Sequence, residues 1–431
     1  MRNQDICIVG SGFVGLTIGL AFALKNHKVT FVDSNSEIIR NLRLGVTHLS
    51  EPGIEEQIAD LQKKQIIRFE TNSTFSMLNE TFTTFIIAVG TPITNGSIDN
   101  SSIRHAAELI APKVNSSNLV IVRSTVPIGI SRNVVFDLLK RTTPNFLFAT
   151  CPERTAEGVA MDEISKLPQI IGGIDRDSSQ AAFELFKTIC NEVVILDSPE
   201  AAEIAKLASN VYRDLIFGFS NDLARLTGKM GINIGEIINA CNYNYPRANI
   251  PFPGPAGGPC LSKDSWILYE SAKNFDVELF TPRAARNSNE NVTLFFAEEI
   301  VEKLNTLCTK KICLLGLSFK GEPPIADYRG SAAQEIIPYL RIKFPTASIW
   351  GHESSGHLDI KDIHQTSELT EALANADLVF ILTNSNDYIQ IEELLSLKLA
   401  KNSILVDLWG LIKSELIRKD IKIYKWGCNE R

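Results

Sequence analysis

The feature that most constrains the fold is a glycine-rich turn near the start of the chain. The apolar run Asp5–Val9 predicts a buried strand, and the sequence Gly-Ser-Gly-Phe-Val-Gly from Gly10 to Gly15 follows it and opens a helical pattern that reaches about Lys25. A second apolar run, Lys28–Asp33, then ends in a carboxylate. A strand, tight turn, helix, strand and acid in this order are typical of a dinucleotide-binding βαβ unit. We therefore predict a Rossmann-type domain at this end of the chain.

Asp33 indicates which nicotinamide cofactor such a domain would take. Backbone amides at the start of the helix can hold a pyrophosphate, while a carboxylate at this place accepts hydrogen bonds from ribose hydroxyls. The same carboxylate would repel a 2′-phosphate, and no arginine follows Asp33 directly. The sequence therefore favours NAD over NADP. The alternative reading is a glycine turn that only packs a helix on a sheet.

Three further apolar runs in the first half of the chain end in small or polar residues. Phe85–Val89 precedes Gly-Thr-Pro, Leu119–Val122 precedes Arg-Ser-Thr-Val-Pro, and the run from Asn145 leads into Cys-Pro-Glu-Arg. In a doubly wound sheet such strand ends face the ligand crevice. Each could also be an ordinary strand-to-loop turn.

Charge, histidine and cysteine usage exclude several classes of protein. Fifty acidic residues against 43 basic ones give a net charge of −7, without the basic balance of a nucleic-acid binder. None of the six histidines lies between His105 and His352, so we predict no histidine triad or zinc site there. The eight cysteines include no C-x-x-C pair, which fits a reducing cytoplasm.

The stretch Ile6–Leu24 carries no charge and is mostly apolar, so a secretory signal peptide is an alternative interpretation of it. Asp5 weakens the positive head that a signal needs, and four glycines within the stretch fit a strand, turn and helix better. No other run approaches the roughly 20 apolar residues of a membrane span. We therefore expect a cytoplasmic protein that does not bind membranes.

The middle of the chain combines a long helix with a proline- and glycine-rich segment. The pattern from Pro199 to Gly231 is helical, with Lys206 and Asn210 four residues apart on one face. A later segment rich in Pro and Gly ends at Cys260, where an apolar helical run begins with Asp264 one turn on. A helix start favours the thiolate form of a cysteine, although an inert buried thiol is the commoner case.

The last third predicts a second α/β domain. After a helical pattern from about residue 287 to 305, Lys311–Lys320 reads as a strand and turn, and residues 374–383 and 404–410 as further parallel strands. The turn at Gly316 lacks the three-glycine spacing, so it need not bind a dinucleotide. We predict an NAD-binding domain over residues 1–198, a central helical region over 199–305 and a second α/β domain with another task over 306–431.

Taken together, eight motifs in the chain resemble one family. They are Gly10-x-Gly12-x-x-Gly15, Gly90-Thr-Pro, Ser124-Thr-Val-Pro, Pro152-Glu153, Lys206-x-x-x-Asn210, Gly257-Gly-Pro-Cys260 with Asp264, Gly316-Leu-Ser-Phe-Lys320 and Asp327-x-Arg329-x-Ser331. This set, in this order, is similar to the UDP-glucose/GDP-mannose dehydrogenase family of nucleotide-sugar 6-dehydrogenases. The resemblance implies two Rossmann-like, doubly wound parallel-sheet α/β domains joined by a central helical region with a long helix. It also implies that the central region is the dimerisation region and carries the catalytic lysine and cysteine, and that the last domain binds the UDP-sugar.

The resemblance also implies an activity and its residues. It implies a four-electron, NAD-dependent oxidation of a UDP-sugar at carbon 6 through a cysteine thiohemiacetal and thioester. The implied catalytic residues are Cys260, Lys206, Asn210, Asp264, Glu153 and Thr125. The implied cofactor-binding residues are Gly10, Gly12, Phe13, Val14, Gly15, Asp33, Thr91, Thr125, Glu157 and Arg329. The implied substrate-binding residues are Arg154, Thr155, Lys206, Asn210, Arg213, Tyr245, Arg247, Gly257 and Lys320.

Within the family, the Cys-Pro-Glu-Arg, Tyr-Arg-Asp and Tyr-Pro-Arg-Ala-Asn sequences resemble the UDP-N-acetyl-D-mannosamine dehydrogenases, which implies that sugar and a role in surface polysaccharide synthesis. In that branch Tyr245 and Arg247 would act across a homodimer or larger homo-oligomer. UDP-N-acetylglucosamine and UDP-glucose are the alternative substrates, because Glu157-Gly158 is closer to the glucose branch.

Two rival functions remain from the sequence. A two-electron hydroxyacid or 6-phosphogluconate-type dehydrogenase shares the first domain and the Lys/Asn pair, but it needs neither a cysteine nucleophile nor a second α/β domain. A cofactor-binding regulatory protein would not need every catalytic position filled.

Overall fold

A computed structural model gives the structure of residues 3–94, 97–303 and 309–428. By its internal contacts the chain forms two compact units, Met1–Ser209 with Glu270–Asp276, and Asn210–Tyr269 with Val277–Arg431. We call them unit 1 and unit 2. The predicted division into three parts at residues 198 and 305 stays a prediction.

Unit 1 is built on an eight-stranded sheet flanked by helices. The strands of this sheet are β1 (Asp5–Val9), β2 (Lys28–Asp33), β3 (Ile67–Thr71), β4 (Thr84–Ile87), β7 (Leu119–Val122), β8 (Leu147–Thr150), β9 (Gln169–Gly173) and β10 (Val193–Leu196), and the unit also contains the short strands β5 (Ile93–Thr94) and β6 (Ser97–Ile98). Its helices are α1 (Phe13–Ala23), α2 (Ser36–Arg43), α3 (Ile54–Lys63), α4 (Asn72–Met77), α5 (Ser101–Ile110), α6 (Asp137–Lys140), α7 (Ala160–Lys166) and α8 (Arg176–Phe186), with a 3₁₀ turn at Ala111–Lys113 and a π-helical segment at Ser131–Phe136.

The strand order of this sheet is β10-β9-β8-β7-β4-β1-β2-β3, and β5 pairs separately with β6. All pairings in the large sheet are parallel except that of β8 with β9, which is antiparallel. Alternate residues of β1 enter two cores, Ile6 and Ile8 on one face and Cys7 and Val9 on the other. A strand covered on both faces needs the continuous apolar run seen here.

Two helices have residues in both units, α9 (Pro199–Met230) and α11 (Gly258–Lys273). Helix α9 confirms the predicted long helix and has no interior proline. Between them lies α10 (Ile234–Asn242).

Unit 2 carries the second sheet, which is parallel throughout, in the order β13-β12-β11-β14-β15-β16. Its strands are β11 (Lys311–Leu315), β12 (Ser348–His352), β13 (His364–Thr366), β14 (Leu378–Ile381), β15 (Ile404–Asp407) and β16 (Lys422–Lys425). Its other helices are α12 (Phe280–Asn289), α13 (Val292–Lys303), α14 (Ala332–Lys343), α15 (Leu369–Leu373) and α16 (Glu392–Lys398), with 3₁₀ turns at Asn386–Tyr388 and Ser414–Leu416.

The predicted α/β class with two parallel-sheet domains and a long central helix is confirmed. The expectation of one helical stretch from 287 to 305 is wrong in its first part: α12 ends at Asn289, Asn291 has a φ of 66°, and α13 begins at Val292. Asn291 adopts the left-handed conformation that asparagine tolerates and that interrupts a helix. Residue 305 lies outside the described residues. Among the helices of the described ranges, none has the length and apolar character of a membrane span.

Candidate active site

The glycine turn after β1 is held in shape by contacts that leave no room for side chains. Gly10 has a φ of +101°, and a Cβ added there would lie 2.5 Å from the carbonyl oxygen of Ala88. A Cβ at Gly15 would lie 1.8 Å from the carbonyl oxygen of Gly10. Both positions therefore require glycine, which lets α1 begin directly at the turn.

The groups around this turn fit NAD. A Cβ at Gly12 would meet nothing within 4 Å, which leaves space above the first residues of α1, Phe13 and Val14. Ser11 is buried, and its hydroxyl has no hydrogen-bond partner among the described residues. Open space and free donors at a helix start suit a pyrophosphate.

The carboxylate of Asp33 completes this region. Its Oδ2 accepts the N–H of Ser11 at 2.7 Å and its Oδ1 accepts that of Asn35 at 2.8 Å. These bonds orient the carboxylate and leave lone pairs for ribose hydroxyls, since an ionised carboxylate has about four acceptor sites. The residues present therefore fit the cofactor that the sequence predicts.

Two predicted residues of the neighbouring strand ends contact each other. The Thr91 hydroxyl donates to the carbonyl oxygen of Thr125 at 2.6 Å, and the Ser124 hydroxyl donates to that of Val89 at 2.7 Å. These bonds join the segments that follow β4 and β7. Thr125, which the sequence assigns to both cofactor and catalysis, is half-buried there.

Glu153 is buried and lies in an ion pair with Arg123 at the carboxyl ends of β7 and β8. Its other oxygen accepts the backbone N–H groups of Arg154 at 2.8 Å and Thr155 at 2.9 Å. Burial alone would raise the pKa of Glu153, but the charge of Arg123 and these hydrogen bonds together lower it below its ordinary value. Glu153 is therefore a fixed anion with both oxygens engaged.

Arg123 has no role predicted from the sequence, and it is the partner that fixes Glu153. Its guanidinium also donates to the carbonyl oxygen of Cys151 and to the side chain of Gln169, both at 3.0 Å. An arginine directly after a four-residue apolar strand was the available signal, because a charge at the end of a buried strand is costly unless it is paired.

Three more predicted residues follow Glu153 along the chain. The Arg154 side chain donates to the carbonyl oxygen of Pro168, and the buried Thr155 hydroxyl has no hydrogen-bond partner among the described residues. Glu157 is half-buried one residue before Gly158, whose N–H donates to Glu51. The predicted substrate residues Arg154 and Thr155 thus lie next to the fixed Glu153.

In α9, Lys206 is buried, and Glu203 one turn earlier is a further residue that sequence reasoning missed. The Glu203 carboxylate accepts the N–H groups of Gly129 at 2.5 Å and Ser131 at 2.9 Å. Burial raises its pKa to about 7, against the lowering effect of those bonds. Glu203 joins the helix that carries Lys206 to the segment that follows Thr125.

In unit 2, Cys260 is exposed at the third residue of α11. One turn on, Asp264 is only 1% exposed, and its Oδ2 accepts the side-chain amide of Asn210 at 2.6 Å. The structure therefore brings together two predicted catalytic residues, Asn210 and Asp264, one helical turn from the thiol.

Glycine is needed where the segment before Cys260 meets the loop after β11. A Cβ at Gly257 would lie 2.1 Å from the carbonyl oxygen of Gly330, which accepts the N–H of Gly258 at 3.0 Å. In the same loop Arg329 is exposed and paired with Asp327, and Lys320 is half-buried with its ammonium 5.8 Å from the Phe319 ring.

The three remaining predicted substrate residues are exposed in unit 2. Arg213 lies on α9, while Tyr245 and Arg247 lie in the segment after α10. The Arg247 Nε donates to the Tyr245 hydroxyl at 3.1 Å, and its guanidinium lies 4.5 Å from the centre of that ring. The role assigned to each site residue stays a prediction.

Comparison with known proteins tests the family that the sequence motifs resemble. The NAD-binding domain of the UDP-glucose/GDP-mannose dehydrogenase family matches residues 4–190, and the central domain of that family matches residues 200–291. A UDP-N-acetyl-D-mannosamine dehydrogenase of Campylobacter jejuni is 30% identical over 90% of this chain and 97% of its own. One of Methanocaldococcus jannaschii is 29% identical over 99% of this chain and 97% of its own.

A solved structure agrees with these matches. The UDP-D-ManNAc dehydrogenase of Pyrococcus horikoshii has a TM-score of 0.85 at 26% identity, covering 98% of this chain and 99% of that one. With the family's NAD-binding domain matched and an NAD-compatible turn in place, the cofactor prediction is confirmed. The chain belongs to the UDP-glucose/GDP-mannose dehydrogenase family and is an NAD-dependent nucleotide-sugar dehydrogenase.

Proposed function

We propose that this enzyme oxidises UDP-N-acetyl-D-mannosamine at carbon 6 to the uronate, in two NAD-dependent steps through Cys260, for surface polysaccharide synthesis. The observation that carries the proposal is the exposed thiol at the start of α11, one turn from the Asn210–Asp264 hydrogen bond. The names of the two curated relatives support the sugar.

The chemistry accounts for a thiol. Removal of the hydroxyl proton and of a hydride from carbon 6 leaves an aldehyde, which carries no alkoxide from which a second hydride could be expelled. Addition of the Cys260 thiolate forms a thiohemiacetal, loss of the second hydride forms a thioester, and water then breaks the carbon–sulfur bond to give the acid and the free thiol. NAD supplies the oxidation by accepting one hydride in each of the two steps.

The chain's own groups hold the protons and charges of this sequence. The Asn210 amide donates to Asp264 and holds its carboxylate one helical turn from Cys260, the residue that would carry the thioester. From there the carboxylate orients or deprotonates the hydrolytic water. In this proposal Lys206 and Asn210 stabilise the oxyanion, and Lys206 also takes part in the first proton transfer. Glu153 and Thr125 are the other candidates to position that water, and because both oxygens of Glu153 are engaged, it acts as a fixed acceptor.

The sugar assignment rests on arginine donors. Arg154, Arg213 and Arg247 can meet an acetamido carbonyl and a diphosphate, which an overall negative chain would otherwise repel. Leaving such a donor unpaired costs about 1.5 to 3 kcal/mol, or roughly ten- to a hundredfold in selectivity.

Steady-state kinetics over a panel of sugars tests the assignment. We expect kcat/KM for UDP-N-acetylmannosamine to exceed that for UDP-glucose by at least about tenfold. A higher value for UDP-glucose than for both UDP-N-acetylmannosamine and UDP-N-acetylglucosamine rejects it.

The same proposal includes a dimer. Tyr245 and Arg247 are exposed and contact each other, and in our proposal they reach the substrate bound by the neighbouring subunit. Mixing inactive Cys260→Ala and Arg247→Ala chains should restore activity, because a mixed dimer holds one complete site. No recovery despite demonstrated subunit exchange would mean that each chain is self-sufficient.

A further inference from the structure

A network of buried polar side chains lies beneath the Cys260 helix in unit 2. At its centre is Asp214 on α9, which is fully buried one turn after Asn210. Its Oδ2 accepts the Ser265 hydroxyl at 2.7 Å and lies 3.0 Å from the Nε of Arg286, a side chain that is only 1% exposed. Asn289 donates to the Oδ1 of Asp214 at 2.7 Å.

Such a network needs a reason, because buried charges are expensive. Burial raises the pKa of Asp214, while Arg286, Ser265 and Asn289 act in the opposite direction. Well-packed apolar residues in place of a buried ion pair often give equal or greater stability. Directional bonds to a charge do, however, fix the positions of the groups that make them, which apolar contacts do not.

The network holds the helix that follows Cys260 in register with α9. Two consecutive residues of α11, Asp264 and Ser265, bond to Asn210 and Asp214, which stand on successive turns of α9. Two bonds at different heights oppose both sliding and rotation of α11. A single bond would leave one of these motions unopposed.

The network also holds the segment that precedes Cys260. Asn221 donates to the carbonyl oxygen of Gly254 and accepts its N–H, both at 3.0 Å, and it donates to Asn289 at 2.9 Å. Arg286 donates to the carbonyl oxygen of Ala256 at 3.4 Å. The backbone is therefore fixed on both sides of the thiol by one connected set of side chains.

We propose that Asp214, with Arg286, is a positioning residue that places the Cys260 thiol and the Asp264 carboxylate for the reaction. The proposal rests on the proposed function of Cys260 as the nucleophile. A displacement of about 1 Å in such a group can cost roughly a hundredfold in rate. The network should therefore act on kcat more than on the binding of either substrate.

The test is Ser265→Ala, which removes the bond from α11 to Asp214 and changes little volume. The matched control is Ser403→Ala, since Ser403 is also buried but its hydroxyl has no partner among the described residues. We expect kcat to fall by about tenfold in Ser265→Ala. Both KM values should stay within twofold and the control should match wild type.

A second measurement does not depend on turnover. The rate constant for alkylation of Cys260 by iodoacetamide, followed by mass spectrometry without NAD or sugar, should change at least twofold in Ser265→Ala and not in the control. Ser265→Thr, which keeps the hydroxyl, should restore most of kcat. Together these results support positioning.

The contrary outcomes are distinct. Wild-type kcat and alkylation rate in Ser265→Ala would overturn the proposal, as would a fall in kcat that only follows the unfolded fraction measured by circular dichroism. If Cys260→Ala instead keeps full turnover to the acid, the proposed function fails, and the alkylation comparison still reports on the position of the thiol.

Discussion

Each unit of the molecule opens its sheet with a strand and a glycine turn, but of these two turns the first alone leads directly into a helix. Gly10 and Gly316 both have positive φ values, +101° and +87°. In both units the next strand leads to an acid that binds the turn: Asp33 accepts the N–H of Ser11, and Glu353 accepts those of Leu317 and Ser318.

The two turns differ in the segment that comes directly after them. Helix α1 begins three residues after Gly10, whereas residues 317–331 separate Gly316 from α14. Glu353 also accepts more hydrogen bonds within the protein than Asp33 does, because its other oxygen accepts both the N–H and the hydroxyl of Ser355. We therefore expect this arrangement of strand and turn to bind a cofactor where a helix begins directly after the turn. When a loop replaces the helix start, it presents side chains such as Lys320 and Arg329.

The largest effect is expected when the first turn receives the residue that the second turn has at the same position. Gly12 corresponds in position to Ser318, and a side chain at Gly12 would occupy open space. Gly12→Ser should fold normally but weaken NAD binding by about a hundredfold, because the side chain displaces a pyrophosphate that accepts several N–H bonds. Isothermal titration with NAD measures this. Unchanged affinity would show that the turn does not hold the pyrophosphate.

Cofactor selectivity should respond next. Wild type should use NAD far better than NADP, and Asp33→Asn should reduce that preference by about tenfold, because the neutral amide no longer repels a 2′-phosphate. The ratio of the two kcat/KM values measures the effect. Equal efficiency with both cofactors in wild type would refute the assignment of Asp33.

The smallest effect is expected at the equivalent acid of unit 2. Glu353→Gln should lower the free energy of unfolding by about 1 kcal/mol through weaker bonds to Leu317 and Ser318, and leave the Kd of NAD within twofold. Urea unfolding and NAD titration of one preparation give both values. Weaker NAD binding would contradict a structural role for Glu353.

Sequence patterns predicted the fold well where a pattern is typical of a single local structure. Leu119–Val122 is a strand with the predicted bounds. The first helix, predicted to reach about Lys25, ends at Ala23 shortly before Asn26, which has a φ of 65°. The antiparallel pairing of β8 with β9 was not predicted, because an apolar run carries no sign of its direction.

The site was less predictable because the arginines that pair with its buried carboxylates, Arg123 and Arg286, belong to no motif. The pairs Arg123–Glu153 and Asp214–Arg286 join residues far apart in sequence, and each looks like a solvated charge until the fold buries it. In the sequence, Glu203 likewise looks like an ordinary exposed acidic residue of a long helix. Motifs predict the groups that do chemistry, whereas the groups that hold them depend on tertiary contacts.

The central claim is that Cys260 makes this a four-electron enzyme, and the NADH formed per limiting UDP-N-acetylmannosamine tests it most directly. The end-point absorbance of NADH should correspond to two NADH per sugar, with the uronate as product. The Cys260→Ala variant, which cannot form the thioester, should not reach that value. A wild-type plateau at one NADH with free aldehyde released would contradict the account.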